Sequence, residues 1–124
     1  MDKTFVVFLG GGIGASARYL TTLAAGKLLG ADFPWGTMLV NLAGCFLIGV
    51  ALALAEKTDL MQPQLRLFFV TGFLGGLTTF SSYAMESVVA ARGGFVIPLL
   101  NIAVNNVAGL ALVVSGLKLT SRFI

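Results

Sequence analysis

The sequence predicts an all-α integral membrane protein of four transmembrane helices. Two observations carry that prediction. The chain is 57% hydrophobic and only 10% charged, with a mean hydropathy of +0.97, which is far more apolar than a soluble domain of this size. Its apolar residues fall into four runs, each near the roughly 20 residues that a crossing helix needs. These runs fill the 124 residues so completely that no soluble domain fits beside them. The chain therefore reads as a single transmembrane domain over residues 1–124, with helices at about 4–25, 35–55, 66–91 and 95–117.

The first helix carries Gly10 and Gly14 four residues apart, as Gly72 and Gly76 are in the third. Small faces of this kind let two helix backbones approach closely in lipid. Two other readings of this region are weaker. Lys3, the apolar run after it and Ala15-Ser16-Ala17 imitate a cleaved signal, but Asp2 offsets Lys3 and glycines crowd the apolar core. The same stretch fits a loose G-x-G-x-x-A pattern, yet no strand–helix–strand unit surrounds it. Arg18 is expected to reach toward the nearer interface, because a charge at the bilayer centre costs about 2.5 to 3.5 kcal/mol.

Pro34 marks the start of the second helix, where its missing N–H costs nothing. That helix contains Asn41 and the single Cys45, which has no disulfide partner and reads as a small packing residue. Glu56 to Pro63 forms the most polar loop. The third helix holds the stretch TGFLGGLTTFSSY, Thr71 to Tyr83, with Glu86 toward its end. A spanning helix gains nothing from such polar residues unless they contact an ion or another helix. Arg92-Gly93-Gly94 turns the chain into the fourth helix, where Asn101 and Asn105 share a face and Asn106 is rotated about 100° from Asn105.

Composition also excludes function classes. Without histidine and with one cysteine, the chain lacks the usual transition-metal ligands and the usual general base of an enzyme. The net charge of +3 is dispersed over loops and ends, which suits anionic lipid headgroups and does not indicate nucleic acid. Lys3, Lys57, Arg66, Lys118 and Arg122 fall on one side of the membrane, against Arg18, Lys27 and Arg92 on the other. A five-to-three bias fixes orientation only weakly. The polar residues in the spans are mostly hydrogen-bond donors, which favours an anion over a cation. Four short helices cannot both enclose a conduit and pack together, so transport implies an oligomer.

Three blocks of sequence together resemble the Fluc (CrcB) fluoride channel family. They are Gly11 to Tyr19 (GGIGASARY), Pro34 to Asn41 (PWGTMLVN) with Gly44, Phe46 and Gly49, and Gly72 to Ser81 (GFLGGLTTFS). The third block is the most specific. The resemblance implies a bacterial inner-membrane channel that exports fluoride by passive electrodiffusion and confers fluoride resistance. It also implies an antiparallel, dual-topology homodimer with two pores and a structural sodium ion at the dimer interface.

In that family the third helix is broken near its middle, and the freed carbonyls bind the sodium; here these belong to Gly75 and Thr78. Glycines at 75 and 76 are expected to let the backbone turn. The resemblance places Phe80 and Tyr83 on the fluoride path as ring edges, with Asn41 supplying an amide and Ser81 and Ser82 a hydroxyl track. Arg18, Thr37 and Glu86 take vestibule or structural roles. Asn105 is the candidate donor from the fourth helix, where Ala108-Gly109 replaces a common Gly-Ser pair. Tyr83 stands where the family has Phe, so on the resemblance alone Tyr83→Phe leaves flux within a few-fold. Ser82 stands where threonine is usual. Rival readings are a small multidrug-type dimeric exporter, whose first-helix glutamate is absent from residues 4–25, and a non-transporting assembly subunit, which does not explain the third block.

Overall fold

The computed structural model describes residues 2–124, which form four long helices with no strand among them. Helix α1 spans Lys3–Leu29, α2 Trp35–Lys57, α3 Pro63–Gly93 and α4 Val96–Phe123. The Asp2 carboxylate caps α1 by accepting from the Phe5 N–H at 3.2 Å. Pro34 directly precedes α2, and its carbonyl takes the Met38 N–H at 3.1 Å. Pro63 occupies the first turn of α3, and Gly94, at φ 124°, makes the turn into α4. The helices run past the apolar runs into charged ends such as Lys27, Lys57 and Arg122, since lysine and arginine are good helix formers.

By length and composition α2, α3 and α4 are each able to cross a membrane. Helix α1 has 27 residues, but its apolar character is diluted by Gly10, Gly11, Gly12, Gly14 and Arg18. Large apolar side chains cover much of the outside, including Phe8, Leu28, Val88 and Leu110. That exterior suits hydrocarbon.

Two glycine seams hold the bundle together. Helix α1 lies along the first half of α3, and α2 along the second half of α4. A Cβ on Gly10 or Gly14 would run into the Phe68 or Phe73 carbonyl, and one on Gly76 into the Gly11 carbonyl. The close backbone approach expected at Gly10, Gly14, Gly72 and Gly76 is therefore present, and it joins α1 to α3. The second seam, where Gly49 meets the Val113 carbonyl and Gly116 the Phe46 carbonyl, was not foreseen.

Helix α3 is interrupted at two extended residues, Thr78 (φ −84°, ψ 155°) and Thr79 (φ −152°, ψ 116°). Before the break the backbone widens into π-helical turns over Leu67–Leu74; after it, Thr79 Oγ1 caps the next segment by accepting the Ser82 N–H at 3.1 Å. The glycines do not make this turn. Gly75 is ordinary right-handed helix at φ −62° and ψ −37°, and among the described residues only Gly30 and Gly94 have positive φ. The extended torsions fall on β-branched threonines, which favour them, and Gly76 serves the close approach to α1.

Candidate ion-conducting site

Asn41 reaches across from α2 and satisfies the break in α3. Its Oδ1 accepts the Thr79 N–H at 2.8 Å, and its Nδ2 donates to the Thr79 carbonyl at 3.1 Å. Nδ2 also donates to Asn105 Oδ1 at 3.1 Å. Both amide hydrogens of Asn41 are thus used inside the protein.

From Asn105 the hydrogen bonds continue in one direction. Asn105 Nδ2 donates to the Asn101 carbonyl and to Asn101 Oδ1, both at 2.8 Å. Asn101 Nδ2 donates to Ser87 Oγ at 2.9 Å, and Ser87 Oγ donates to the Tyr83 carbonyl at 2.8 Å. The chain starts at a backbone N–H and ends at a backbone carbonyl, so the orientation of all three amides is determined. Asn101, at 0% exposure, is its most deeply buried member. Ser87 and Thr79 were not singled out from the sequence; the i, i+4 spacing of Asn101 and Asn105 was the one signal of this network.

Arg18, part-buried on α1, meets the break in α3. Its Nε donates to the Gly76 carbonyl at 3.1 Å, because the interruption two residues later leaves that acceptor without its usual partner. The break frees two more carbonyls. The amide that would close on Gly75 O, that of Thr79, is held by Asn41 Oδ1, and the amide that would close on Thr78 O, that of Ser82, is held by Thr79 Oγ1.

Gly75 and Thr78 line an open groove of about 390 Å³ together with Asn41, Phe80, Tyr83, Asn105 and Asn106. Phe80 projects at its rim, 78% exposed, while Tyr83 is only 9% exposed. Their ring centroids are 5.4 Å apart and inclined at 61°, edge to face. Ser81 lies outside the groove with its Oγ 3.3 Å from Thr79 Oγ1, and Ser82 joins the helix start by its N–H. Asn106 donates to the Tyr83 hydroxyl at 3.1 Å. A second cavity of about 890 Å³ opens among the helix ends and includes Thr37 and Glu86. There Thr37 Oγ1 donates to Glu86 Oε1 at 2.8 Å, and Glu86 Oε2 is buried without a partner among the described residues. No cluster of histidine, cysteine or acidic residues able to hold a metal occurs among the described residues.

Residues 5–117 match the family model described as CrcB-like protein, Camphor Resistance (CrcB). The chain belongs to the CrcB family. A relative from Solibacter usitatus, named fluoride-specific ion channel FluC, is 46% identical over 121 residues, covering 97% of this chain and 99% of the relative. A protein of the same name from Azobacteroides pseudotrichonymphae is 38% identical over 124 residues, covering 99% of each. One from Rhizobium etli is 42% identical over 118 residues, covering 94% of each. The CrcB match takes in both glycine seams, the broken helix and the asparagine chain.

Proposed function

We propose that this CrcB protein is a multi-pass channel of the bacterial inner membrane that conducts fluoride passively out of the cytoplasm and so protects against it. The observation that carries the reading is the break in α3. Backbone groups are left unpaired within a membrane only where they line a cavity or find partners, and here they open onto a groove walled by aromatic and polar side chains. A small, strongly hydrated anion needs its water replaced by contacts good enough to admit it and weak enough to release it. Polarised aromatic side chains at Phe80 and Tyr83 on the groove meet that requirement.

The functional unit of this reading is an antiparallel homodimer. The groove is open on one side in the single chain, and Phe80 projects from it; a second copy would close it against lipid. Gly75 and Thr78 would hold the sodium through their carbonyl oxygens, two from each subunit, and the ion would lock the two broken helices together. The donor set fits a hard cation, which prefers oxygen. Efflux from liposomes containing purified protein, followed with fluoride and chloride electrodes, tests the function. Fluoride release well above that of empty liposomes, with little chloride release, is expected; equal release of both ions would overturn it.

A further inference from the structure

The direction of the hydrogen bond at Tyr83 is set by its neighbour. Asn106 Nδ2 lies 2.8 Å from the Ile102 carbonyl oxygen and 3.1 Å from the Tyr83 hydroxyl. A carbonyl only accepts, so the atom facing Ile102 must be the amide nitrogen and not the amide oxygen. The same nitrogen gives its second hydrogen to Tyr83, whose oxygen is therefore the acceptor. The phenol's own hydrogen is left for another partner, and the ring borders the groove.

The other polar side chains of the groove have acceptors in reach for their hydrogens. Asn41 Nδ2 has Thr79 O and Asn105 Oδ1, and Asn105 Nδ2 has the two oxygens of Asn101. Thr78 Oγ1 has Leu74 O at 2.8 Å, and Thr79 Oγ1 has Ser81 Oγ at 3.3 Å. Among the amide and hydroxyl hydrogens of the groove lining, that of Tyr83 alone lacks one; the Cys45 thiol, a much weaker donor, also has none. Sequence resemblance favours a ring that acts by its edge; the bond from Asn106 points the other way.

We infer that Tyr83 donates its hydroxyl hydrogen to the anion in the groove, with Asn106 as the positioning residue that holds the phenol oxygen as acceptor and turns its hydrogen outward. The inference rests on the fluoride-channel reading of this site. An O–H donor replaces lost hydration with a charge-assisted hydrogen bond, a stronger contact than a ring edge provides.

The test is liposomal fluoride efflux by Tyr83→Phe, Asn106→Leu and the double variant, each first shown to elute from a sizing column like the parent. Tyr83→Phe is expected to lower flux about tenfold, the effect of losing one hydrogen bond to a charged partner. Asn106→Leu should lower it several-fold, and the double variant should be no worse than Tyr83→Phe, because Asn106 acts only through the hydroxyl. Flux within a few-fold of the parent for Tyr83→Phe, or an Asn106→Leu loss that persists in the Phe background, would overturn the inference.

A second measurement does not depend on transport. Protein carrying 3-fluorotyrosine should give two fluorine resonances, from Tyr19 and Tyr83, assigned with Tyr19→Phe. Sodium fluoride should shift the Tyr83 signal and not that of Tyr19, and sodium chloride should move neither. Parent protein that passes no fluoride yet shows the Tyr83 shift would sink the channel reading and leave this contact standing. Parent protein that conducts with an unmoved Tyr83 signal would sink the contact alone.

Discussion

Asn41 closes on Thr79 with both ends of its amide, replacing the two helical hydrogen bonds that the break in α3 removes. The two residues are 38 positions apart in sequence. With Arg18 on the Gly76 carbonyl and Thr79 Oγ1 on the Ser82 N–H, this clamp makes an interrupted helix tolerable in hydrocarbon, where unpaired backbone groups are costly. By holding the Thr79 N–H, Asn41 keeps that amide from the Gly75 carbonyl, as Thr79 Oγ1 keeps the Ser82 N–H from the Thr78 carbonyl.

Asn41→Asp is nearly isosteric but puts a carboxylate oxygen where Nδ2 now faces two acceptors, Thr79 O and Asn105 Oδ1. Losing both bonds leaves two part-buried acceptors unpaired, at up to about 1 to 3 kcal/mol each. Fluoride efflux is expected to fall to the level of empty liposomes, and the detergent-solubilised protein to melt at a lower temperature. Parent-like flux would show that the clamp on Thr79 is dispensable.

Gly14→Ala places a methyl group into the Phe73 carbonyl across the α1–α3 seam, whereas Gly12→Ala meets nothing within 4 Å. The first change should destabilise the bundle by about 1 to 3 kcal/mol, as overpacking does elsewhere. The second should be neutral or slightly stabilising, because alanine is the better helix former. Thermal unfolding in detergent separates the two, and equal melting would argue against close α1–α3 contact.

Asn101→Leu keeps much of the volume at a fully buried position but strands one Asn105 hydrogen and removes the donor to Ser87 Oγ. The expected cost is about 1 to 3 kcal/mol. Ser115→Ala, which removes only an exposed bond to the Ala111 carbonyl, should stay within about 0.5 kcal/mol. Similar melting of the two variants would mean that the asparagine chain contributes no stability.

Membrane orientation follows the cations. Arg18 is engaged by Gly76 inside the bundle, which leaves Lys27 and Arg92 against Lys3, Lys57, Arg66, Lys118 and Arg122 on the other side. Lys57 Nζ donates to the Ser121 carbonyl at 3.2 Å, so the ends of α2 and α4 do share a side. A C-terminal reporter should appear on both faces of the membrane, with the cytoplasmic face more populated. A strictly one-sided result would exclude an antiparallel dimer.

Local properties were legible in the residues alone. Hydropathy identifies the solvent and the spans, glycine spacing of four marks the α1–α3 seam, and the TTFSS run with Asn41 points to the place where something polar happens. All of these depend on residue type and short-range periodicity, which survive without coordinates. The choice of partner does not, because it depends on which groups meet across 38 to 64 positions of chain. The residues alone assign Asn41 an amide for the ion path, and only the fold shows that its two hydrogens face Thr79 O and Asn105 Oδ1; packing likewise decides that Arg18 Nε meets a carbonyl that the break released. Gly75 and Gly76 looked like the turn, yet the threonines after them are extended, and Gly76 is needed because a neighbouring backbone leaves no room for a Cβ. The second seam, at Gly49 and Gly116, lies on different helices, and only the packing of α2 against α4 brings those two positions together.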